Sequence, residues 1–173
     1  MKRGVINLQY GGLVNYIIDG HNLIAQLPGL DLSMPDDEER LVELLRRFGM
    51  GKPHRLEVYF DGAPAGLAGV RSYGQVKAHF VRQGQTADEA IRRRLVRLGR
   101  SAADWVVVSS DREVQAAARE AHAQAMRSVD FTRLLQASLQ AHLASDYEGT
   151  EKLLSEAEVD EWLKFFKEPH KKP

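Results

Sequence analysis

The chain has 173 residues, 43% of them hydrophobic, and its 24 basic and 24 acidic side chains give a formal net charge of zero. This length suits one domain with a sizeable core, and the balanced charge excludes a global attraction to nucleic acid or membrane. The absence of cysteine excludes thiolate metal sites, no stretch approaches the roughly 20 apolar residues of a membrane span, and we therefore expect a cytoplasmic protein without membrane association.

Apolar runs alternate with helical patterns along the chain. Strands are predicted at NYIID (15–19), RLEVYFDG (55–62), QVKAHFVRQG (75–84), ADWVVVSSD (103–111) and, weakly, AMRSVD (125–130). Helices are predicted at LSMPDDEERLVELLRRFG (32–49), TADEAIRRRLVRLG (86–99), REVQAAAREAHAQ (112–124), FTRLLQASLQAHLA (131–144) and SEAEVDEWLKFFKE (155–168). The stretch AGLAGVRSYG (65–74) is rich in Gly and small residues and predicts a flexible loop.

Strands separated by helices predict a mainly parallel sheet with helices on both faces, that is, a three-layer α/β/α sandwich. We expect an N-terminal extension over residues 1–14, one domain over 15–167 and a C-terminal tail over 168–173. Ligands of open parallel sheets bind at the carboxyl ends of the strands, near the point where the strand order reverses. The function is therefore expected at that edge.

Acidic residues follow three of the predicted strands. Asp19 ends the first, Asp61 ends the second, and Asp111 follows WVVVSS at the start of a helix. Asp88, in the first turn of the 86–99 helix, is expected to face the sheet and to join them. Clustered carboxylates repel one another, and a divalent cation removes that cost. Oxygen ligands of this kind suit Mg²⁺ or Mn²⁺, which can position a water for attack on a phosphate.

Each acid also has a simpler interpretation. Asp111 after two serines is typical of a helix N-cap, Asp88 of a first-turn acid that complements the helix dipole, and Asp61 before Gly62 of a turn. Turn chemistry explains Asp19 less well, because a turn does not require the His-Asn-Leu that follows Asp19-Gly20. Asn22 is expected to cap a following helix, to orient Asp19 or to hold a phosphate.

Five arginines lie between residues 92 and 100. The apolar positions of this helix are already assigned to the core, so Arg93, Arg94 and Arg97 are expected to point outward. Such a run is either a solvated face or a strip that contacts the phosphates of RNA. Three further cations extend the strip in the second interpretation, namely Lys77, Arg82 and Arg71.

Taken in order, the motifs YIIDGHNLI, VYFDG, TADEAI, VVVSSDREVQ and LSEAEVDEWLKFF resemble the YacP-like branch of NYN domains, relatives of the PIN-like metal-dependent ribonucleases. The resemblance covers about residues 15–166. It implies a three-layer sandwich and an acidic cluster that binds Mg²⁺ or Mn²⁺ for endonucleolytic cleavage of RNA, with ribosome-bound mRNA as substrate. It implies Asp19, Asp88 and Asp111 as the acids, with Asn22 and Ser110 as polar helpers. Where the family often has Asp-Asp, this chain has Asp88-Glu89, which leaves a ligand role for Glu89 open.

Two interpretations from other classes remain. A receiver domain of a signalling protein also places acids at strand ends, but it needs an acidic pair after the first strand and an Asp after the third, and this chain has neither. An inactive RNA-binding or adaptor module with the same fold is compatible with every motif.

Overall fold

The computed structural model describes residues 13–148. Its strands are β1 (Asn15–Asp19), β2 (Arg55–Ala63), β3 (Gly69–Tyr73), β4 (Val76–Arg82), β5 (Trp105–Val108) and β6 (Gln124–Met126). Its α-helices are α1 (Gly20–Ile24), α2 (Asp37–Gly49), α3 (Ala87–Leu98), α4 (Arg112–Glu120) and α5 (Ser128–Glu148), with a 3₁₀ turn at Gly99–Asp104. The predicted helix at 155–168, the C-terminal tail and residues 1–12 lie outside the described residues.

The six strands form one sheet in the order β3-β4-β2-β1-β5-β6. All neighbours are parallel except the β3–β4 pair, which is an antiparallel hairpin. The chain first adds strands on one side of β1 and then, from β5 onward, on the other side. The strand order therefore reverses between β1 and β5, which is where open α/β sheets form their ligand crevice.

Helices cover both faces of this sheet, and the predicted three-layer sandwich is confirmed. On one face, Tyr16 and Ile18 of β1 pack with side chains of α1, α2 and α5, including Leu23, Leu45 and Phe131. On the other face, alternate strand residues pack against α3 and α4. Within the described residues, no helix is long and apolar enough to cross a bilayer.

The parallel strands also decide against the receiver-domain alternative. Numbered among themselves, the five parallel strands β1, β2, β4, β5 and β6 lie in the order 3-2-1-4-5. Receiver domains have the other doubly wound order, 2-1-3-4-5. The topology is therefore that of a Rossmann-like sheet.

Local predictions differ from the structure in several places. The predicted helix at 112–124 ends at Glu120, and the predicted strand at 125–130 ends at Met126, because α5 begins at Ser128.

The residues after Asp19 form a short helix, α1, and the predicted loop at 65–74 contains strand β3. The loop prediction was wrong for residues 69–73 because β3 is an edge strand with almost every residue exposed. Such a strand has no apolar alternation to mark it. Gly74, with a φ of 63°, makes the tight turn between β3 and β4.

Gly20, between β1 and α1, has no space for a side chain. A Cβ there would overlap the Phe60 ring and would lie 2.9 Å from the carbonyl oxygen of Tyr59. The contact with the Tyr59 backbone cannot be relieved by a change of rotamer. This glycine lets the start of α1 lie directly against β2, and it thereby fixes the position of the residues on either side of it.

We predict that Gly20→Ala destabilises the fold by about 1–3 kcal/mol, the usual cost of overpacking. Urea unfolding followed by circular dichroism measures the change. Gly66→Ala is the matched control, because a Cβ at Gly66 meets nothing within 4 Å. Equal stabilities of the two variants would contradict the close packing at Gly20.

Candidate active site

Asp19 is the most deeply buried acid at the carboxyl edge of the sheet. It ends the central strand β1, its exposure is 7%, and its Oδ2 accepts a hydrogen bond of 3.1 Å from the hydroxyl of Ser109. Ser109 follows β5, the neighbour of β1 at the point of strand reversal. The carboxylate of Asp19 therefore lies where the topology places a ligand site.

The surroundings of Asp19 disfavour its negative charge. The pKa of this carboxyl is raised to about 6, mainly by burial and to a lesser extent by the nearby carboxylates of Asp88 and Asp61, although the hydrogen bond from Ser109 and the backbone amide of Asn22 act in the opposite direction. A carboxylate in such surroundings is stabilised by a bound cation or by a proton.

Asp88 shares this electrostatic environment. It lies in the first turn of α3 and is partly buried, as the helical pattern predicts. Burial raises its pKa, and the negative charges of Asp111, Asp61 and Glu113 raise it further, while Arg92 lowers it. Asp19, Asp61, Asp88 and Asp111 thus lie close enough together for their negative charges to repel one another.

Asp111 caps helix α4. Its Oδ1 accepts hydrogen bonds from the backbone N–H groups of Glu113 (2.8 Å) and Val114 (3.0 Å). Its own N–H donates to the hydroxyl of Ser109 at 3.1 Å. The capping interpretation is therefore correct for Oδ1. The capping bonds leave Oδ2 as the oxygen with which Asp111 can contribute to the site.

Asn22 and Ser110 belong to a polar network that joins three segments. Asn22 Oδ1 accepts hydrogen bonds from the backbone N–H of Ser110 (2.8 Å) and from the hydroxyl of Ser128 (2.7 Å). The Ser110 hydroxyl accepts from the backbone N–H of Ser128 at 3.2 Å. The network ties α1, the loop after β5 and the start of α5 together, and both hydrogen bonds of the Asn22 amide oxygen are used in it.

Sequence reasoning did not find Ser109 and Ser128, both of which are fully buried. Ser109 bridges Asp19 and Asp111, donating to the first and accepting from the backbone of the second. Gln115 fixes the same loop by donating to the Ser109 carbonyl at 2.8 Å. The polar pair Ser109-Ser110 at the end of a buried strand is the one sequence signal that marks this position.

His21 forms a clamp that the sequence did not predict. Its Nδ1 lies 2.9 Å from Asp61 Oδ1 and its Nε2 lies 3.0 Å from Glu38 Oε1. The hydrogen bond to Glu38, followed by that to Asp61, raises the pKa of His21 to about 9, so the imidazole is a cation at neutral pH. Asp61 is therefore paired with a positive charge. His21 forms its hydrogen bonds with Asp61 and Glu38 and not with Asp19, so it does not neutralise Asp19.

Glu89 takes part in the N-terminal cap of α3. The Thr86 hydroxyl accepts from the Glu89 backbone N–H at 3.2 Å, and the Glu89 carboxylate accepts from the Thr86 N–H at 3.3 Å. This reciprocal capping box turns the carboxylate toward the start of the helix. We therefore leave Glu89 out of the set of proposed metal ligands.

The donor chemistry of the edge fits a hard divalent cation. Within residues 13–148, no three Asp, Glu or His side chains stand close enough together to form a complete set of metal ligands. Mg²⁺ does not need such a set, because it is usually held by one or two carboxylates together with waters and substrate phosphates. The buried carboxylate of Asp19, with the carboxylate of Asp88 nearby, can supply the one or two protein ligands that Mg²⁺ needs.

The structure brings most residues of the predicted basic strip together, while their contact with RNA stays a prediction. Residues Lys77, Arg82, Arg93, Arg94 and Arg97 line one groove beside α3. The expectation that Arg94 points outward was wrong, because its guanidinium binds both carboxylate oxygens of the buried Glu57 at 2.8 Å. Arg71 was also misplaced, because it lies over the Phe80 ring, 4.7 Å from the centroid, on the opposite face of the hairpin.

We predict that Asp19→Asn stabilises the protein in a chelating buffer. Because the pKa of Asp19 is raised in the folded state to about 6, wild-type stability falls as pH rises from about 4 to 6 and then levels off. The variant lacks this loss and should gain about 2–3 kcal/mol at pH 7 and little at pH 4. Urea unfolding at both pH values measures this difference. A gain that does not depend on pH would contradict the assignment.

The comparisons agree with this fold. The YacP-like NYN domain model matches residues 16–167. The crystal structure of Rae1 (YacP) from Bacillus subtilis has a TM-score of 0.64 and 22% identity, covering 77% of this chain and 79% of that chain. A Trp-to-Leu mutant of it has a TM-score of 0.61 and 21% identity, covering 88% and 92%. Comparison with the curated proteins gives no match. The chain belongs to the YacP-like NYN domain family, whose members are generally nucleases.

Proposed function

We propose that this protein is a metal-dependent endoribonuclease whose active site is the acidic edge around Asp19. The observation that carries the proposal is a nearly buried carboxylate at the end of the central strand, with a pKa raised by burial and by two neighbouring acids. Such a group is costly to keep without a function. Membership in a family of nucleases supports phosphodiester hydrolysis as that function.

In this proposal the carboxylates of Asp19 and Asp88 hold the cation together with waters and substrate phosphates, and Asp111 Oδ2 acts on it through a bound water, since the three acids do not form a complete ligand set. When bound, Mg²⁺ or Mn²⁺ supplies a nucleophilic water and stabilises the charge that develops on the phosphoryl oxygens. Ser109 orients Asp19 by donating to its Oδ2. Asn22 and Ser110 hold the loop after β5 in place against α1, so that the strand ends keep their relative positions during turnover.

The proposed substrate is RNA. More specifically, we propose mRNA, either free or bound to the ribosome. A cytoplasmic location follows from that substrate. The alternative is an RNA-binding or adaptor module that keeps the fold without cleaving RNA. The two differ in a single measurable property, turnover, because both would bind RNA.

We predict that Asp19→Ala lowers the rate of RNA cleavage by at least ~10²-fold, the scale on which loss of one preorganised electrostatic group acts in other enzymes. The assay is cleavage of a labelled mRNA with Mg²⁺ or Mn²⁺, free and on ribosomes. Asp104→Ala is the matched control, because it removes an exposed carboxylate just before β5, at the opposite edge of the sheet. Its rate should equal that of the wild type.

RNA binding by Asp19→Ala in the same buffer separates a catalytic defect from a loss of fold, and it should persist. A wild type that cuts no RNA in any of these conditions, or an Asp19→Ala variant as fast as the wild type, would replace the enzyme proposal by the binding-module alternative.

A further inference from the structure

A groove of about 600 Å³ lies beside α3, away from the acidic edge. One wall is α3, with Arg93 and Arg97, and the other is the β3–β4 hairpin, with Val70, Lys77 and Arg82. The groove exists because α3 packs mainly on β1 and β2, which leaves the face of the outer strands beside it without a helix among the described residues. It is a concave surface that the proposed chemistry does not use.

The rim of this groove is strongly positive. Lys77, Arg82, Arg93 and Arg97 form no ion pair with any residue in the described part of the chain. Arg93 and Arg97 contact only uncharged oxygens, those of the Gln85 side chain and of the Arg93 backbone, both at 3.4 Å. A protein with zero net charge thus concentrates four unpaired cations around one groove.

The one acid on the floor is neutralised within the protein. Glu57 is 7% exposed, and Arg94 binds it through two hydrogen bonds of 2.8 Å. The Tyr59 hydroxyl also donates to Glu57, at 3.1 Å. Glu57 and Arg94 neutralise each other through these contacts. The four rim cations therefore remain available for an anionic ligand.

The floor is aromatic and apolar. The rings of His79 and Tyr59 are stacked, with centroids 4.2 Å apart and planes 8° apart, and Val81 lies beside them on the same face of the sheet. His79 Nε2 is buried, forms no hydrogen bond within the described residues and lies 3.9 Å from Glu57 Oε2, so it is the ring of His79 rather than this nitrogen that faces a ligand. A bare phosphate would need only the cations. An aromatic floor suits a ligand that also carries a planar base, because bases stack on aromatic rings.

Helix α3 connects this groove to the acidic edge. Asp88 lies in its first turn and Arg97 in its last, which corresponds to roughly 14 Å along the helix axis. A nucleic-acid strand with one phosphate at the acidic edge can therefore follow α3 into the groove. Bases of a duplex are stacked inside the helix and cannot reach such a floor, whereas bases of an unpaired strand can.

We propose that the groove between α3 and the β3–β4 hairpin binds an unpaired segment of the RNA strand beside the bond to be cleaved. The rim cations Lys77, Arg82, Arg93 and Arg97 hold its phosphates, and a base lies on the floor at His79. The identity of the strand as RNA rests on the proposed function. The groove adds that the substrate must be single-stranded at this position.

The test is fluorescence anisotropy of the full chain with a labelled, unstructured RNA oligonucleotide in EDTA, so that no cleavage can occur. The groove variant is Lys77→Gln combined with Arg97→Gln. The matched control is Arg46→Gln combined with Arg133→Gln, which removes two exposed arginines from α2 and α5 on the other side of the sheet. Circular dichroism and thermal melting verify that both variants are folded.

The groove variant should bind the oligonucleotide at least tenfold more weakly, and two lost phosphate contacts should flatten the slope of log affinity against log salt by about 1.4. His79→Ala should weaken binding at least about fivefold without changing the slope, because it removes a base contact. The control should match the wild type. Unchanged affinity and slope in the groove variant would overturn the proposal.

Two further arms identify the ligand. Wild-type protein should prefer the unpaired RNA to the same sequence in a duplex, and the groove variant should lose this preference. Equal binding of the duplex overturns the proposal. Displacement of the oligonucleotide by AMP or by inorganic phosphate at comparable concentration also overturns it, in favour of a free nucleotide or an anion site.

These outcomes are independent of the proposed catalysis. Binding in EDTA does not require turnover, and an Asp19→Ala variant that binds RNA through the groove but does not cut it supports the groove. Conversely, an active enzyme whose affinity for RNA does not change in the groove variant contradicts the groove alone.

Discussion

The burial of one carboxylate, Asp19, is the constraint on which the rest of the site depends. The central strand β1 ends at this residue, and Gly20 lets α1 follow at once because its missing Cβ leaves room for Phe60. Ser109 is held at the neighbouring strand end and donates to the carboxylate. The negative charge remains costly even so, since burial and nearby acids raise its pKa. A cation bound at the edge would stabilise the negative charge of Asp19, and the repulsion relieved in this way would favour cation binding.

Charge in this protein is separated in space although it sums to zero. Helix α3 carries both signs, with Asp88 near the acidic edge and Arg93 and Arg97 on the groove. The Glu57–Arg94 pair lies between strand and helix and contributes to the packing of α3, aided by the position of Arg94 over the Trp105 ring at 5.1 Å. One helix can therefore present ligands for a cation at one end and for phosphates at the other.

Much of the fold could be predicted because buried parallel strands such as β1 and β5 are continuous apolar runs. Parallel strands share one edge, so the approximate meeting of Asp19, Asp61 and Asp111 was also predictable. Side-chain partners across the fold were not. Arg94 looks exposed by helical spacing, and only the structure shows Glu57 beneath it. His21 gives no signal in sequence of its pairing with Glu38, 17 residues away. The exposed strand β3 lacks the alternation on which strand prediction depends.

The most direct test of the central claim, that the acidic edge is a divalent cation site, is calorimetric titration of Mn²⁺ at pH 7.5 into the wild type, Asp19→Asn and Asp104→Asn. The account predicts that Asp19→Asn binds Mn²⁺ at least tenfold more weakly than the wild type. It also predicts that Asp104→Asn, which removes a carboxylate at the opposite edge of the sheet, binds as the wild type does. Equal Mn²⁺ affinity in all three proteins would contradict it.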